Sequence, residues 1–269
     1  MPGATASIAA LPMYDWPELR AETDALWALI GRHLRAEGVV APDRLTREGT
    51  LETIWRAPDL VLSQTCGLPY ALHLGDRVAL VGTPAYALEG CAPGEYRSAV
   101  VVRCADPAET LSDLRGRVAA LNGSESQSGH AALLAAAAGL PGARPVFGDV
   151  VLSGAHRASI CAVAEGLADV AAIDAVAWVL AGRYEPAAAA LRVLHWTPPV
   201  PALPFITAQR AAAPRIRGAL RTAIAEAPEA LRAALLLTGI VERHPADYAP
   251  LASRFRVAVA DGALPRIPA

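Results

Sequence analysis

The sequence has 269 residues, of which 54% are hydrophobic and 19% are charged, and its mean hydropathy is +0.31. This composition is far too apolar for a disordered chain, and a chain of this length can bury a large core. The net charge of -2 supplies no basic field, so no nucleic-acid partner is expected. No apolar run approaches the roughly 20 residues that span a bilayer, so a soluble protein is expected.

The residue types exclude several classes of enzyme. All 24 residues counted as lysine or arginine are arginine. A Walker-type phosphate loop and a Schiff-base enzyme both need a lysine, so these classes are excluded. The sequence also lacks HExxH, CxxC, GxGxxG and GxSxG motifs, and its four cysteines lack the spacing of metal ligands. No metal and no cofactor are therefore expected.

The hydrophobic pattern predicts alternating strands and helices. Short apolar runs predict strands, and apolar positions that recur every three or four residues predict helices. In chain order, the predicted elements are a strand at 6–11, helices at 17–36 and 50–56, strands at 59–63, 78–81 and 98–102, a brief helix at 111–114, a strand at 118–121, a helix at 131–138, a strand at 150–152, a helix at 159–166, a strand at 170–173 and a helix at 176–180. The alternation predicts a parallel α/β sheet, with ligands at the carboxyl ends of its strands. The proline-dense residues 197–204 predict a hinge or crossover, rather than a linker between independent domains, before the helix formers of 211–238.

The turn LNGSESQSGHAALLAA, residues 121–136, carries the strongest functional signal. Hydroxyls and free backbone amides at the positive end of a helix suit a phosphate, phosphonate or carboxylate. The alternative is a structural capping box, since Ser124 and Gln127 stand three positions apart. A cap needs one serine and this turn has three, so we predict an anion site. Its predicted ligands are Ser126, Gln127, Ser128 and Gly129.

Two later strand ends carry further candidates. We place His156 in the first turn of a helix that Ser153 caps, where its imidazole can donate to an anion. A cationic His156 predicts that ligand affinity falls as pH rises through the imidazole titration. The alternative is an ordinary surface or cap histidine. Asp174, at the end of the strand at 170–173, is either a helix cap or a ligand contact.

The first part of the chain offers a second group of candidates. Gln64 and Thr65 follow the strand at 59–63, and Tyr14 follows the first strand. The phenol or the ring face of Tyr14 can reach a ligand at these strand ends. An ordinary loop aromatic is the alternative for Tyr14.

Four segments resemble the PhnD-like phosphonate, phosphite and phosphate substrate-binding proteins of ABC transporters. They are YRSAVVVR at 96–103, DLRGRVAALNGSESQSG at 113–129, the histidine-containing segment at 156–171 and LRVLHWTPPVPALPF at 191–205. The resemblance implies that Ser126, Ser128 and His156 hold the phosphoryl oxygens, and that Asp174 lies near an acidic ligand position. Gln127 replaces a threonine of the family. Leu203 replaces an aspartate, which disfavours an aminoalkyl phosphonate because an ammonium group needs an acid.

The resemblance also implies a fold: α/β, of the two-lobed type II periplasmic-binding kind, with a ligand cleft between the lobes. Residues 1–98 plus 205–269 are predicted to form lobe 1, and residues 99–204 lobe 2. Crossover strands near 98–103 and 205–207 would act as the hinge.

The function that the resemblance implies is non-catalytic binding of a small anion for an ABC transport system. We expect no catalytic residue, a monomer, and a permease as a partner. The first residues, MPGATASIAALPMYDW, carry neither a positive charge nor a sustained apolar stretch, which predicts a cytoplasmic protein, whereas the resemblance predicts a periplasmic one. The alternatives are a cytoplasmic ligand sensor, or a cytoplasmic enzyme of this fold that acts on a small carboxylate with His156 or Asp174 as acid or base.

Overall fold

The computed structural model of the chain describes residues 7–265. The first residue of the strand predicted at 6–11, and the ends of the predicted first lobe at 1–6 and 266–269, lie outside the described residues. The chain divides into two compact units, Met1–Glu95 with Pro201–Tyr248 and Tyr96–Val200 with Ala249–Ala269. No helix within residues 7–265 is long and apolar enough to cross a membrane.

The elements of the described chain follow the predicted alternation over most of its length. The strands are β1 Ile8–Ala10, β2 Leu60–Gln64, β3 Ala79–Tyr86, β4 Glu95–Tyr96, β5 Ser98–Arg103, β6 Val118–Leu121, β7 Asp149–Leu152, β8 Val170–Asp174, β9 Leu191–Trp196, β10 Val200–Pro201, β11 Phe205–Thr207 and β12 Leu237–Val241. The helices are α1 Arg20–Ala36, α2 Leu51–Trp55, α3 Gly67–Pro69, α4 Ala132–Ala138, α5 His156–Ala164, α6 Ala175–Tyr184, α7 Ala213–Glu226, α8 Glu229–Ala234 and α9 Pro245–Asp261. Single helical turns occur at Pro17–Leu19, Tyr70–Leu74, Leu111–Leu114, Gln127–Ala131, Pro186–Ala190 and Arg210–Ala212.

The first unit is built on a five-stranded sheet of order β1-β2-β11-β3-β12. Strand β1 is parallel to β2, and β11 is antiparallel to both β2 and β3, so β1, β2 and β3 all run in one direction. Their carboxyl ends therefore lie at one edge of this sheet. Helices α1 and α7 cover the sheet with the apolar faces that their periodicity predicts, including Trp27, Ile30, Ile216 and Leu220.

Helix α1 shows how local sequence sets the element boundaries. Pro17 is the first residue of a helical turn that leads into α1. The backbone N–H that proline lacks would have no helical partner at this position, so its absence costs nothing. Gly38 has a φ of 71°, which an L side chain adopts at a cost, and the amide of Val39 donates to the carbonyl of Leu34 at 2.9 Å. This pairing is a Schellman-type stop, and it confirms the predicted end of the helix.

The second unit is built on a five-stranded sheet of order β7-β6-β8-β5-β9. Strand β6 is parallel to both β7 and β8, whereas β5 is antiparallel to β8 and β9. The carboxyl ends of β6, β7 and β8 thus share one edge with the start of β5 and the end of β9. The core beneath this sheet includes Leu121, Leu133, Phe147 and Val170.

The end of the chain differs from the predicted division into lobes. Residues 249–265 group with the second unit, although they were predicted in lobe 1. Within that unit the Phe255 ring packs edge-on against His130 at 5.1 Å, and Arg144 Nε lies 2.7 Å from an Asp261 carboxylate oxygen. The periodicity of residues 131–138 predicts a helix but cannot predict which distant helix packs against it.

Tyr248, at the start of α9, anchors a buried hydroxyl cluster in the first unit. Its hydroxyl donates to the carbonyl of Ala202 at 2.7 Å and lies 2.7 Å from Thr83 Oγ1. The neighbouring Tyr70 ring lies edge-on at 5.3 Å, but the buried Tyr70 hydroxyl has no hydrogen-bond partner among the described residues. Burial raises the pKa of both phenols.

Candidate ligand-binding site

The serine turn, residues 124–129, begins a helix, as predicted. Its cap is Ser126 rather than Ser124. Ser126 Oγ accepts a hydrogen bond from the amide of Gly129 at 3.0 Å, and its carbonyl accepts from the amide of Ala131 at 2.9 Å. The helical turn at Gln127–Ala131 then continues into α4. The amide of Ser128 lies ahead of the Gly129 amide that Ser126 accepts, so it points out of the positive end of this helix.

Ser128 and His156 meet, although 27 residues lie between them in the sequence. Ser128 Oγ lies 2.8 Å from His156 Nε2. His156 is the first residue of α5, and its N-cap is Ala155 without a side-chain bond, so the prediction that Ser153 caps this helix is wrong. The Ser153 hydroxyl instead lies 2.6 Å from Ser159 Oγ and 3.2 Å from the carbonyl of Leu121.

His156 is neutral near pH 7. The residue as a whole is half-buried, but its Nδ1 atom is enclosed and has no hydrogen-bond partner among the described residues. Burial lowers its pKa to about 4, because an imidazolium is poorly solvated there. The expectation of a cationic imidazole that titrates near neutral pH therefore loses its physical basis in the free protein.

Gly129 lies in a space that only glycine fits. A Cβ atom at this position would lie 1.8 Å from Asn122 Oδ1 and 3.3 Å from His156 Cε1. Asn122 Oδ1 is buried and, within residues 7–265, has no hydrogen-bond partner. Asn122 and His156, the two side chains nearest this position, each carry a buried polar atom without a described partner, Asn122 Oδ1 and His156 Nδ1. Both atoms accept when Nε2 carries the imidazole proton, so only a group that donates a hydrogen bond would relieve the cost of burying them, about 1–3 kcal/mol each.

His130 holds the serine turn in place, and the sequence patterns did not single it out. Its Nδ1 lies 2.6 Å from the carbonyl of Ser124, and since a carbonyl only accepts, Nδ1 carries the proton. Burial lowers the pKa of His130, so the ring is neutral in this role. The only signal in the sequence was the position of His130 directly after Ser128 and Gly129.

Asp174 lies at the same edge of the second sheet as the serine turn and His156. Its Oδ1 accepts from the amides of Val176 at 2.7 Å and Ala177 at 3.2 Å, so it is the N-cap of α6. Of the two interpretations, the structure shows the helix cap. A ligand contact at Asp174 stays a prediction.

The candidates of the first unit gather around a residue that was not predicted. Gln64 Nε2 donates to the Tyr86 hydroxyl at 2.9 Å and to the carbonyl of Leu203 at 3.1 Å. The Tyr14 ring lies edge-on to Tyr86 at 5.4 Å, and Tyr14, Gln64 and Tyr86 line a small cavity of ≈50 Å³. Thr65 is also buried, and its hydroxyl donates to the carbonyl of Cys66 at 3.3 Å. Thr65 does not line this cavity.

No group of three or more histidine, cysteine or acidic side chains in residues 7–265 is arranged to hold a metal ion. The site chemistry is that of neutral donors: two serine hydroxyls, a neutral imidazole and the amides of a helix start. Such donors suit an oxyanion.

The sequence family described as the periplasmic substrate-binding protein of phosphonate ABC transporters matches residues 8–248. The chain belongs to this family. Membership confirms the resemblance on which the predicted function rests, and it implies a small-molecule ligand and an ABC permease as partner. The expectation of a cytoplasmic protein is wrong, because the family is periplasmic. That expectation rested on the first residues alone.

Solved structures confirm the α/β fold of type II periplasmic-binding proteins. PhnD1 from Prochlorococcus marinus, in complex with methylphosphonate, is 15% identical with a TM-score of 0.70, over 93% of this chain and 97% of that one. A binding protein component of an ABC phosphonate transporter from Pseudomonas aeruginosa is 15% identical with a TM-score of 0.72, over 96% and 88%. A Xanthomonas citri protein bound to chloride is 18% identical with a TM-score of 0.69, over 95% and 99%. No curated protein matches the sequence.

Proposed function

We propose that this protein binds a small oxyanion of the phosphonate, phosphite or phosphate type at the turn of residues 126–129, with His156, and delivers it unchanged to an ABC permease. The pairing of Ser128 with His156 at the open end of the α4 helix carries the proposal. Family membership supports the role in transport. The methylphosphonate complex of the Prochlorococcus relative supports the ligand class.

A neutral His156 can still prepare the site for an anion. When Nε2 carries the proton, it donates to Ser128 Oγ and leaves the serine hydrogen available for a phosphoryl oxygen. The amide of Ser128, at the start of the helix, supplies a further donor. Hydrogen bonds to a charged group contribute about 1.5–3 kcal/mol each, so a few of them suffice for firm binding.

The first unit contributes its own proposed ligand contacts. We assign this role to Tyr14 and Gln64 because they line one cavity with Tyr86. A ligand contact at Thr65 stays a prediction; its hydroxyl donates to the carbonyl of Cys66.

Non-catalytic binding fits the site better than an enzyme does. The two candidates for an acid or base are His156, whose pKa is lowered to about 4, and Asp174, whose carboxylate caps α6. His156 is therefore not poised to exchange a proton near neutral pH, and the Asp174 carboxylate is engaged by the backbone amides of Val176 and Ala177. We also propose that the protein acts as a monomer without nucleic acid, in keeping with its net charge of -2.

Calorimetric titration of the full chain with methylphosphonate, phosphite, phosphate and sulfate tests the proposal. Replacing Ser126 and Ser128 together with alanine should weaken binding of the preferred anion at least tenfold, since each lost bond to a charged group is worth about 1.5–3 kcal/mol. Ser112→Ala, on an exposed turn of the same unit, is the control and should leave affinity unchanged. Unchanged affinity in the double variant, or no binding of any of the four anions, would overturn the proposal.

A further inference from the structure

The second unit contains a cavity of ≈260 Å³ that the predicted site does not include. Its volume is close to the lower end of the range for small-molecule pockets, about 300 Å³. One wall is the outer face of α4, with Ala132 and Ala135, and the facing wall is α9, with Leu251 and Phe255. Pro198, after β9, closes the third side.

One residue, Gln127, belongs both to the predicted anion site and to the lining of the cavity. Gln127, the first residue of the helical turn that Ser126 caps, also lines the cavity, and it is only 6% exposed. From Gln127 the cavity follows α4 through Ala131 to Ala135, one and two helical turns farther along. An anion held at the start of this helix would therefore have space beside it for a substituent.

Two buried residues with hydroxyl side chains, Ser98 and Thr197, line the cavity wall. Ser98 is 2% exposed. Its backbone amide is already bonded, to Thr197 Oγ1 at 2.9 Å. These two residues give the wall nearest β5 and β9 its polar character, in contrast to the apolar walls formed by α4 and α9.

The side chains that line the cavity favour an apolar substituent. Apart from Ser98, Gln127, Thr197, His195 and Arg254, the lining is alanine, valine, leucine, proline and phenylalanine. The described residues that line the cavity include no carboxylate, so an ammonium group would have no counter-charge there. The guanidinium of Arg254, exposed at the cavity, fits a ligand with overall negative charge.

We propose that this cavity receives an alkyl or aryl substituent of the phosphonate whose oxygens bind at residues 126–129. The substrate class is thereby narrowed to phosphonates with an apolar organic group of several carbons. This inference rests on the proposed function. The inference adds a site in the second unit that sets substrate specificity. The small alanine side chains of α4 leave room there for the substituent.

A chain-length series tests the inference. Calorimetry would compare methyl-, ethyl-, propyl-, butyl- and phenylphosphonate on the full chain. Each buried methylene is expected to tighten binding by about fourfold, so butylphosphonate should bind roughly 50-fold more tightly than methylphosphonate if its three extra methylenes are buried. Affinity that does not rise with chain length would overturn the inference.

Variants locate the effect and separate it from the anion site. Ala135→Leu, and independently Ala132→Leu, should remove most of the gain for butylphosphonate while leaving methylphosphonate affinity unchanged. Ala225→Leu, on an exposed position of α7, is the matched control. Full retention of the gain in both cavity variants would refute the cavity as its source. If methylphosphonate binding itself survives alanine at Ser126 and Ser128, the proposed function fails instead.

Discussion

His156 predicts a specific loss of stability in acid. In the unfolded chain a histidine titrates near pH 6.5, whereas burial in the folded chain lowers the pKa of His156 to about 4. Between these two values the unfolded chain binds a proton that the folded chain does not. The free energy of unfolding therefore falls as pH falls from about 6.5 towards 4, and this contribution is fully present above pH 6.5.

The magnitude follows from the shift. A difference of about 2.5 pKa units corresponds to about 3 kcal/mol below pH 4, and to about 2.5 kcal/mol at pH 4.5. These are upper values, because His156 is half-buried and part of the residue reaches solvent. Burial also lowers the pKa of His130, which adds a contribution of the same sign.

Urea unfolding followed by circular dichroism at pH 7.5 and 4.5 would measure this effect. His156→Gln should reduce the loss of unfolding free energy between the two pH values by about 2 kcal/mol, since glutamine does not titrate. His244→Gln, at an exposed histidine, should leave the loss as in the native chain. An equal loss in the native chain and in His156→Gln would refute a buried neutral imidazole.

Two matched pairs of substitutions test the packing. Tyr248→Phe removes a hydroxyl with two buried partners and should lower the free energy of unfolding by about 1–3 kcal/mol. Tyr70→Phe removes a buried hydroxyl without a described partner and should leave the free energy of unfolding unchanged or raise it. Gly129→Ala places a methyl group against Asn122 and should lower the free energy of unfolding by about 1–3 kcal/mol. Gly182→Ala, in α6 with no atom within 4 Å of the added Cβ, should raise the free energy of unfolding by about 0.5–1 kcal/mol. Thermal unfolding measures all four, and equal effects within either pair contradict this account.

The sequence predicted the elements whose boundaries are set locally. The strand at 118–121 is β6, and the helix at 17–36 has its stop at Gly38, because period and capping residues act within a few positions. The anion turn followed from the same reasoning, since a strand end, serines and a helix start are adjacent in the chain. The sequence also placed Ser128 and His156 after neighbouring parallel strands, which is why they meet.

Features that depend on distant partners were beyond this reasoning. Strand β3 extends to Tyr86 through Gly82 and Pro84, which normally end a strand, because β12 pairs with its second half. Tyr86 was therefore missed as the partner of Gln64. Ser126, rather than Ser124, is the cap, a choice that two serines so close together in the sequence did not distinguish.

The central claim is that an oxyanion binds at residues 126–129. A crystal structure of the full chain with methylphosphonate tests it most directly. We predict phosphonate oxygens within hydrogen-bond distance of Ser128 Oγ and of the amide of Ser128, with His156 Nε2 still paired to Ser128. Methylphosphonate bound elsewhere, with no contact to these residues, would contradict the account.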